Sequence, residues 1–192
     1  MIEINTWIKA FRLRTLPLAF SSILMASFLA YYSGHFQVLI LVLSLVTTLF
    51  LQVLSNLAND YGDAVSGVDG PDRGGPKRAV QSGAITRGQM KIAIILCAFL
   101  AFISGFILII YVFRDHWLNL LVFLTLGIGA IAAAIKYTMG SNPYGYSGFG
   151  DLFVFIFFGL VGVFGGYYLF NRDLEIIFLL PAISCGLLSV GV

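Results

Sequence analysis

Four side chains carrying oxygen or amide groups, Asn56, Asn59, Asp60 and Asp63, follow one another at i, i+3, i+4 and i+7. On an α-helix that spacing is one face. Two carboxylates on successive turns repel each other unless something positive lies between them. A hard cation such as magnesium would meet that need, because it commonly binds through one or two carboxylates plus substrate phosphates. Asp69, beyond a bend expected at Gly67, can return to the same point. Downstream, Asp72-Arg-Gly-Gly-Pro-Lys-Arg78 sets two adjacent cations after a glycine-rich turn. Arginine grips phosphate through a two-pronged fork and lysine adds a point charge, so Lys77 and Arg78 suit a polyanion. The bland alternative is a polar helix end in water, its carboxylates paired with loop lysines and arginines. A plain basic loop accounts for the cations but not for the row of aspartates.

A second polar island runs from Lys136 to Asp151 and includes Tyr137, Tyr144 and Tyr146. Its glycines and one proline read first as a turn. The tyrosines suit interfacial anchoring, and their faces would also favour a cation formed between them.

The elements that must position these groups are membrane helices. Of the 192 residues 59% are hydrophobic and 10% charged, and the mean hydropathy is +0.97; soluble domains carry roughly 25% charged residues. Apolar stretches near the about 20 residues needed to cross a bilayer run over 16–32, 38–57, 92–113, 117–135 and 152–170, and a sixth starts near Leu174. That sixth stretch is still apolar at Val192, which points to a chain that continues. With the N-terminus inside, Lys9, Arg12, Arg14, Arg73, Lys77, Arg78, Arg87, Lys91 and Lys136 face the cytoplasm, against Arg114 and Arg172 outside, and these make up all 11 basic residues. The positive-inside rule therefore predicts a multi-pass protein of the cell inner (plasma) membrane with a cytoplasmic N-terminus. Residues 1–192 read as one transmembrane domain, with 59–91 as its cytoplasmic catalytic loop. The net charge of +2, without a basic tract, argues against nucleic acid as a partner. Cys97 and Cys185 lie in apolar segments and read as small buried hydrophobes. The apolar N-terminal run has no small-residue cleavage site of the signal-peptide kind, so it is read as a membrane helix.

Asn59-Asp60-x-x-Asp63 at a helix end, followed by Lys77-Arg78-Ala-Val-Gln-Ser-Gly83 and preceded by Arg14-Thr-Leu-Pro17, resembles the UbiA superfamily of intramembrane prenyltransferases. Gly67-Val-Asp69, Pro76-Lys-Arg-Ala-Val-Gln-Ser-Gly-Ala-Ile-Thr86 and Gly148-Phe-Gly-Asp-Leu-Phe-Val-Phe-Ile-Phe-Phe-Gly159 look like its naphthoate-prenylating branch. The resemblance implies an all-α, polytopic transmembrane bundle of nine helices around a central cavity, of which this chain would supply about six. It also implies a polyprenyl diphosphate donor, an aromatic acid acceptor (1,4-dihydroxy-2-naphthoate) and Mg2+. The metal would be held by Asn59, Asp60, Asp63 and Asp69, the first three being the catalytic set. Lys77, Arg78 and Arg14 would bind diphosphate, and Tyr137 and Asp151 would stand on the acceptor side. Two departures from the family pattern are visible. Gly67 stands where the commonest first motif has a further aspartate, for which Asp69 substitutes, and the family's second acidic motif does not occur in this chain.

Other readings are an enzyme of the same superfamily acting on 4-hydroxybenzoate, homogentisate or a tetrapyrrole, and a non-enzymatic membrane transporter. A transporter should carry polar groups or broken helices near the bilayer midplane, whereas the charges here gather at the cytoplasmic ends. Asp69-Gly-Pro-Asp-Arg73 approaches the signature of CDP-alcohol phosphotransferases but lacks its alanine.

Overall fold

The computed structural model describes residues 4–68 and 77–192. Among them every regular element is helical: α1 Ile4–Phe11, α2 Leu16–Tyr32, α3 Val38–Ser66, α4 Arg87–Phe113, α5 Trp117–Lys136, α6 Gly150–Asn171 and α7 Ile176–Val190. Five stretches are long and apolar enough to cross a bilayer, namely α1 with α2, then α3, α4, α5 and α6, while α7 is a shorter apolar helix. This is the all-α polytopic bundle that the apolar stretches and the family resemblance imply.

Local chemistry sets the helix ends. Pro17 lies in the first turn of α2, where an absent N–H costs nothing. Arg12 takes a left-handed backbone (φ 50°), which breaks the chain between α1 and α2. The amphipathic α1 then packs Trp7, Ala10 and Phe11 beside Val53, Leu54 and Leu57 of α3. α4 opens on a capping box in which the Thr86 hydroxyl accepts from the Gln89 N–H and the Gln89 side chain accepts from the Thr86 N–H.

α3 has 29 residues. At 1.5 Å per residue it is about 43 Å long, against roughly 30 Å of hydrocarbon, so its last turns project beyond the membrane core. Of the segment 59–91, residues up to Ser66 are therefore helix, as are those from Arg87 onward. α3 ends at Gly67, whose φ of 79° favours glycine.

α3 lies at the centre of the bundle, packed against α2, α4 and α5, while α6 packs on α2 and α7. Small residues let α6 and α2 approach: a methyl group added at Gly162 would stand 2.9 Å from Cβ of Ser22, and one at Gly166 would stand 3.0 Å from Cβ of Ala26. The middle of α6, Phe155–Gly165, is wound as a π-helix. Two apolar clusters close the bundle. The one toward the C-terminal end of α3 gathers Leu54, Leu57, Ile85, Met90 and Ile94, and the one at the opposite end Ile40, Phe113, Tyr167, Phe170 and Phe178. Outward faces carry exposed Phe28, Ile95, Phe99 and Leu121, an apolar surface suited to lipid.

Candidate active site

The last three turns of α3 carry the acidic face, and the structure gives each member a different neighbour. Asn56 faces the N-terminal break: its Nδ2 donates to the Phe11 carbonyl and to Thr15 Oγ1, both at 2.9 Å. Gln52, one turn earlier, donates to the same Thr15 oxygen at 3.1 Å. Asn56 thus fastens the α1–α2 junction to α3. Its place on the acidic face has a structural use.

Asp60, 2% exposed, accepts the backbone N–H of Ala79 on one carboxylate oxygen and that of Val80 on the other, each at 3.1 Å. Two N–H donors neutralise much of a buried carboxylate's desolvation cost. They also fasten the Lys77–Gly83 turn to α3. That turn is closed internally by Ser82 N–H to the Arg78 carbonyl (2.9 Å) and Ile85 N–H to the Ala79 carbonyl (3.1 Å), and Ile85 is fully buried in the cluster with Leu54 and Leu57.

With the turn held, Arg78 points back at α3. Its Nη1 donates to the Asn59 carbonyl at 2.9 Å and forms an ion pair with Asp63. Tyr146, from the second polar island, donates its hydroxyl to the other Asp63 oxygen. Ser66 Oγ lies 3.2 Å from the same phenol oxygen. Burial and the neighbouring Arg12 guanidinium push the Arg78 pKa down to about 10, with Asp60 pulling the other way. Arg78 remains a cation at neutral pH.

The repulsion expected between Asp60 and Asp63 is thus relieved by backbone amides at one and by Arg78 at the other. The acids are paired with the basic loop, as the bland alternative has it, yet they are buried and not water-exposed. Thr138 completes the site. It is 4% exposed, and its Oγ1 lies 2.9 Å from the Ala58 carbonyl and 3.2 Å from Oδ1 of Asn59.

The site stands at one end of a cavity of about 420 Å³, within the roughly 300–1,000 Å³ usual for ligand pockets. Asn59 and Tyr137 line the end nearest the site. Gln52, Thr48 and Ser44 continue along α3, while Phe153, Phe157 and Phe158 of α6 line the cavity from another side. Tyr144 lines it too, donating to the Ala133 carbonyl at 2.9 Å, and burial with Tyr137 nearby raises its pKa to about 12. Asn59, Asp60, Asp63, Arg78 and Tyr137 are therefore brought to one end of the bundle. Lys77 is exposed beside the turn, and Arg14 is exposed at the α1–α2 junction. Asp151 is exposed in the first turn of α6, where a carboxylate suits the helix N-terminus. Asp69 lies outside the described residues.

Thr138, Arg12 and the Ala79 and Val80 amides escape sequence reasoning. Backbone donors have no residue signature, and Thr138 meets Asn59 across 79 positions. Tyr146 does fall among the tyrosines noted in the second island.

The donor set fits a hard cation in part. Asn59 and Asp63 offer oxygens one helical turn apart, the pairing magnesium uses when phosphates complete its shell. Among the described residues no three acidic, imidazole or thiol side chains form a metal-holding group.

Comparison with known proteins places the chain in a family. The chain is 48% identical over 189 residues to the 1,4-dihydroxy-2-naphthoate octaprenyltransferase of Escherichia coli, covering 98% of this chain and 61% of that protein. The protein of the same name from Haemophilus influenzae is 46% identical, with 99% and 62% covered. That from Mycobacterium tuberculosis is 34% identical, with 100% and 63% covered. The chain thus spans about three-fifths of the length of these relatives. No solved structure matches it significantly. The description of the UbiA prenyltransferase family matches residues 19–192, nearly the whole chain, and the chain belongs to that family.

Proposed function

We propose that the chain carries the donor-binding part of an enzyme that transfers a polyprenyl group from polyprenyl diphosphate to 1,4-dihydroxy-2-naphthoate. The observation that carries this reading is the Asp63–Arg78 pair, set beside Asn59 at the end of a cavity lined largely by apolar side chains. A diphosphate with a hydrocarbon tail has this polarity: an anion for the Arg78 end and isoprene units for the Phe153–Phe158 wall. The names of the relatives supply the acceptor.

Arg78 is the side chain that must choose between partners. In the structure its guanidinium neutralises Asp63. An arriving diphosphate competes for the same fork, and its gain of two parallel hydrogen bonds releases the Asp63 carboxylate. Asn59, Asp63 and Asp69 would then hold magnesium, which would supply electrostatic stabilisation of the departing diphosphate. Asp60 keeps the Lys77–Gly83 turn in place through this exchange, and Lys77 adds positive charge at its edge. The prenyl C–O bond breaks, its electron pair leaving with diphosphate. A bond forms between the prenyl C1 and the acceptor ring carbon that bears the carboxylate, and carbon dioxide departs. Tyr137 and Tyr144 present aromatic faces at the cavity's cytoplasmic end, where they favour developing positive charge. Tyr144, with its raised pKa, stays a neutral phenol. The membrane is the cell inner membrane, with α1 and the Lys77–Gly83 turn on the cytoplasmic side, as the distribution of basic residues supports.

The test is prenyl transfer by the full-length protein in detergent, using labelled polyprenyl diphosphate, dihydroxynaphthoate and magnesium. Product formation with loss of carbon dioxide, abolished in Asp63→Ala, is the expected result. Transfer only to 4-hydroxybenzoate or another aromatic acid would replace the acceptor. No transfer to any of them would overturn the reading.

A further inference from the structure

We propose that Thr138 is a positioning residue that aims the Asn59 amide, turning its Oδ1 toward the metal. The inference rests on the reading of Asn59 as a metal ligand. Thr138 is buried, and its Oγ1 has two neighbours on α3: the Ala58 carbonyl at 2.9 Å and the Asn59 amide at 3.2 Å. A hydroxyl has one proton to give. A carbonyl oxygen only accepts, so the shorter contact takes that proton, and Thr138 then meets Asn59 as an acceptor.

The partner that suits an acceptor is the Asn59 NH2 group. The two ends of an amide are alike in shape and are told apart by their hydrogen bonds. With Nδ2 donating to Thr138, Oδ1 faces the cavity that Asn59 lines. In the opposite orientation, the one with Oδ1 beside Thr138, the two oxygens share a single proton with the Ala58 carbonyl, and the NH2 group is turned to the cavity. An amide NH2, its lone pair delocalised and its polar hydrogens pointing outward, repels a cation, and an amide oxygen ligates it. The proton count at Thr138 therefore selects the amide orientation that binds metal.

The backbone is built to bring Thr138 this close. Gly62 sits one turn beyond Ala58 on α3, and a methyl group there would lie 2.6 Å from both Cβ and Oγ1 of Thr138. The absence of a side chain at 62 lets the hydroxyl reach α3. Outer partners that orient a metal ligand typically change metal affinity by about 10–100-fold when removed.

The experiment titrates manganese, as a paramagnetic stand-in for magnesium, into the full-length protein in the presence of inorganic diphosphate. Free manganese is read by electron paramagnetic resonance. Thr138→Val keeps the shape and removes the hydroxyl, and it is expected to weaken manganese binding about tenfold or more. Thr138→Ser keeps the hydroxyl and is expected to stay within about threefold of the unmodified protein. Asn59→Asp has two equivalent oxygens and no amide to aim, so adding Thr138→Val to it should cost little more, a non-additivity that a purely structural role would not produce. Where valine does not fold, Thr138→Ala is read in the same titration. Unchanged manganese affinity in the position 138 variants, with affinity lost in Asn59→Ala, would overturn the role of Thr138 and leave the metal reading intact. Unchanged affinity in Asn59→Ala would overturn both.

Discussion

Asp60 and Asp63 sit three residues apart on one helix, yet they serve different purposes. Asp60 accepts two backbone N–H groups from residues 79 and 80. Asp63 meets a guanidinium and a phenol, both groups that a ligand can displace. Removing the Asp60 carboxylate leaves two half-buried donors without an acceptor, at up to about 1–3 kcal/mol each. Asp60→Ala should therefore free the Lys77–Gly83 turn. Limited trypsin digestion should then cut after Lys77 and Arg78 markedly faster than in the unmodified protein, and Asp60→Asn, which keeps one acceptor, should fall between. Equal cleavage rates would mean that the turn is held by something else. The type and spacing of these acids were legible in the sequence, because i, i+3, i+4 and i+7 define a face whatever surrounds it. Their division of labour was not, because the partner of Asp60 is main chain.

At the scale of elements, the apolar runs located α2 to α6 to within a few residues at most ends, since hydrocarbon thickness fixes helix length before any packing is known. Helix extent beyond the hydrocarbon was less legible: α3 runs to Ser66 because polar residues at a membrane surface can continue a helix as readily as end it. The π-helical stretch Phe155–Gly165 has no signature in a uniformly apolar run. The approach of the Tyr137–Phe149 connection to α3 depends on one missing side chain. In Gly62→Ala the new methyl meets Thr138 at 2.6 Å on both Cβ and Oγ1. Overpacking of this kind costs about 1–3 kcal/mol. We expect a lowered thermal midpoint in detergent, which Thr138→Ser does not restore, since serine keeps both Cβ and Oγ and the Thr138 main-chain oxygen would lie nearer still. A midpoint equal to that of the unmodified protein would show that the two segments separate without cost.

The whole molecule is a helical bundle whose charged chemistry lies at one end and whose cavity runs inward from it. That polarity predicts its orientation. With Cys97 and Cys185 replaced, a single cysteine at His116 should react with a membrane-impermeant maleimide in intact cells. One at Ser82 should react only after permeabilisation, and the reverse pattern would invert the topology. The central claim is that α3 and the Lys77–Gly83 turn form a metal-dependent diphosphate site. The most direct measurement is equilibrium binding of a non-ionising polyprenyl diphosphate analogue to the full-length protein, with and without magnesium. The account predicts tight binding only with the metal, weakened about tenfold or more, that is by about 1.4 kcal/mol or more, in both Asp63→Ala and Arg78→Ala. Binding that ignores magnesium and is unchanged in both variants would contradict it.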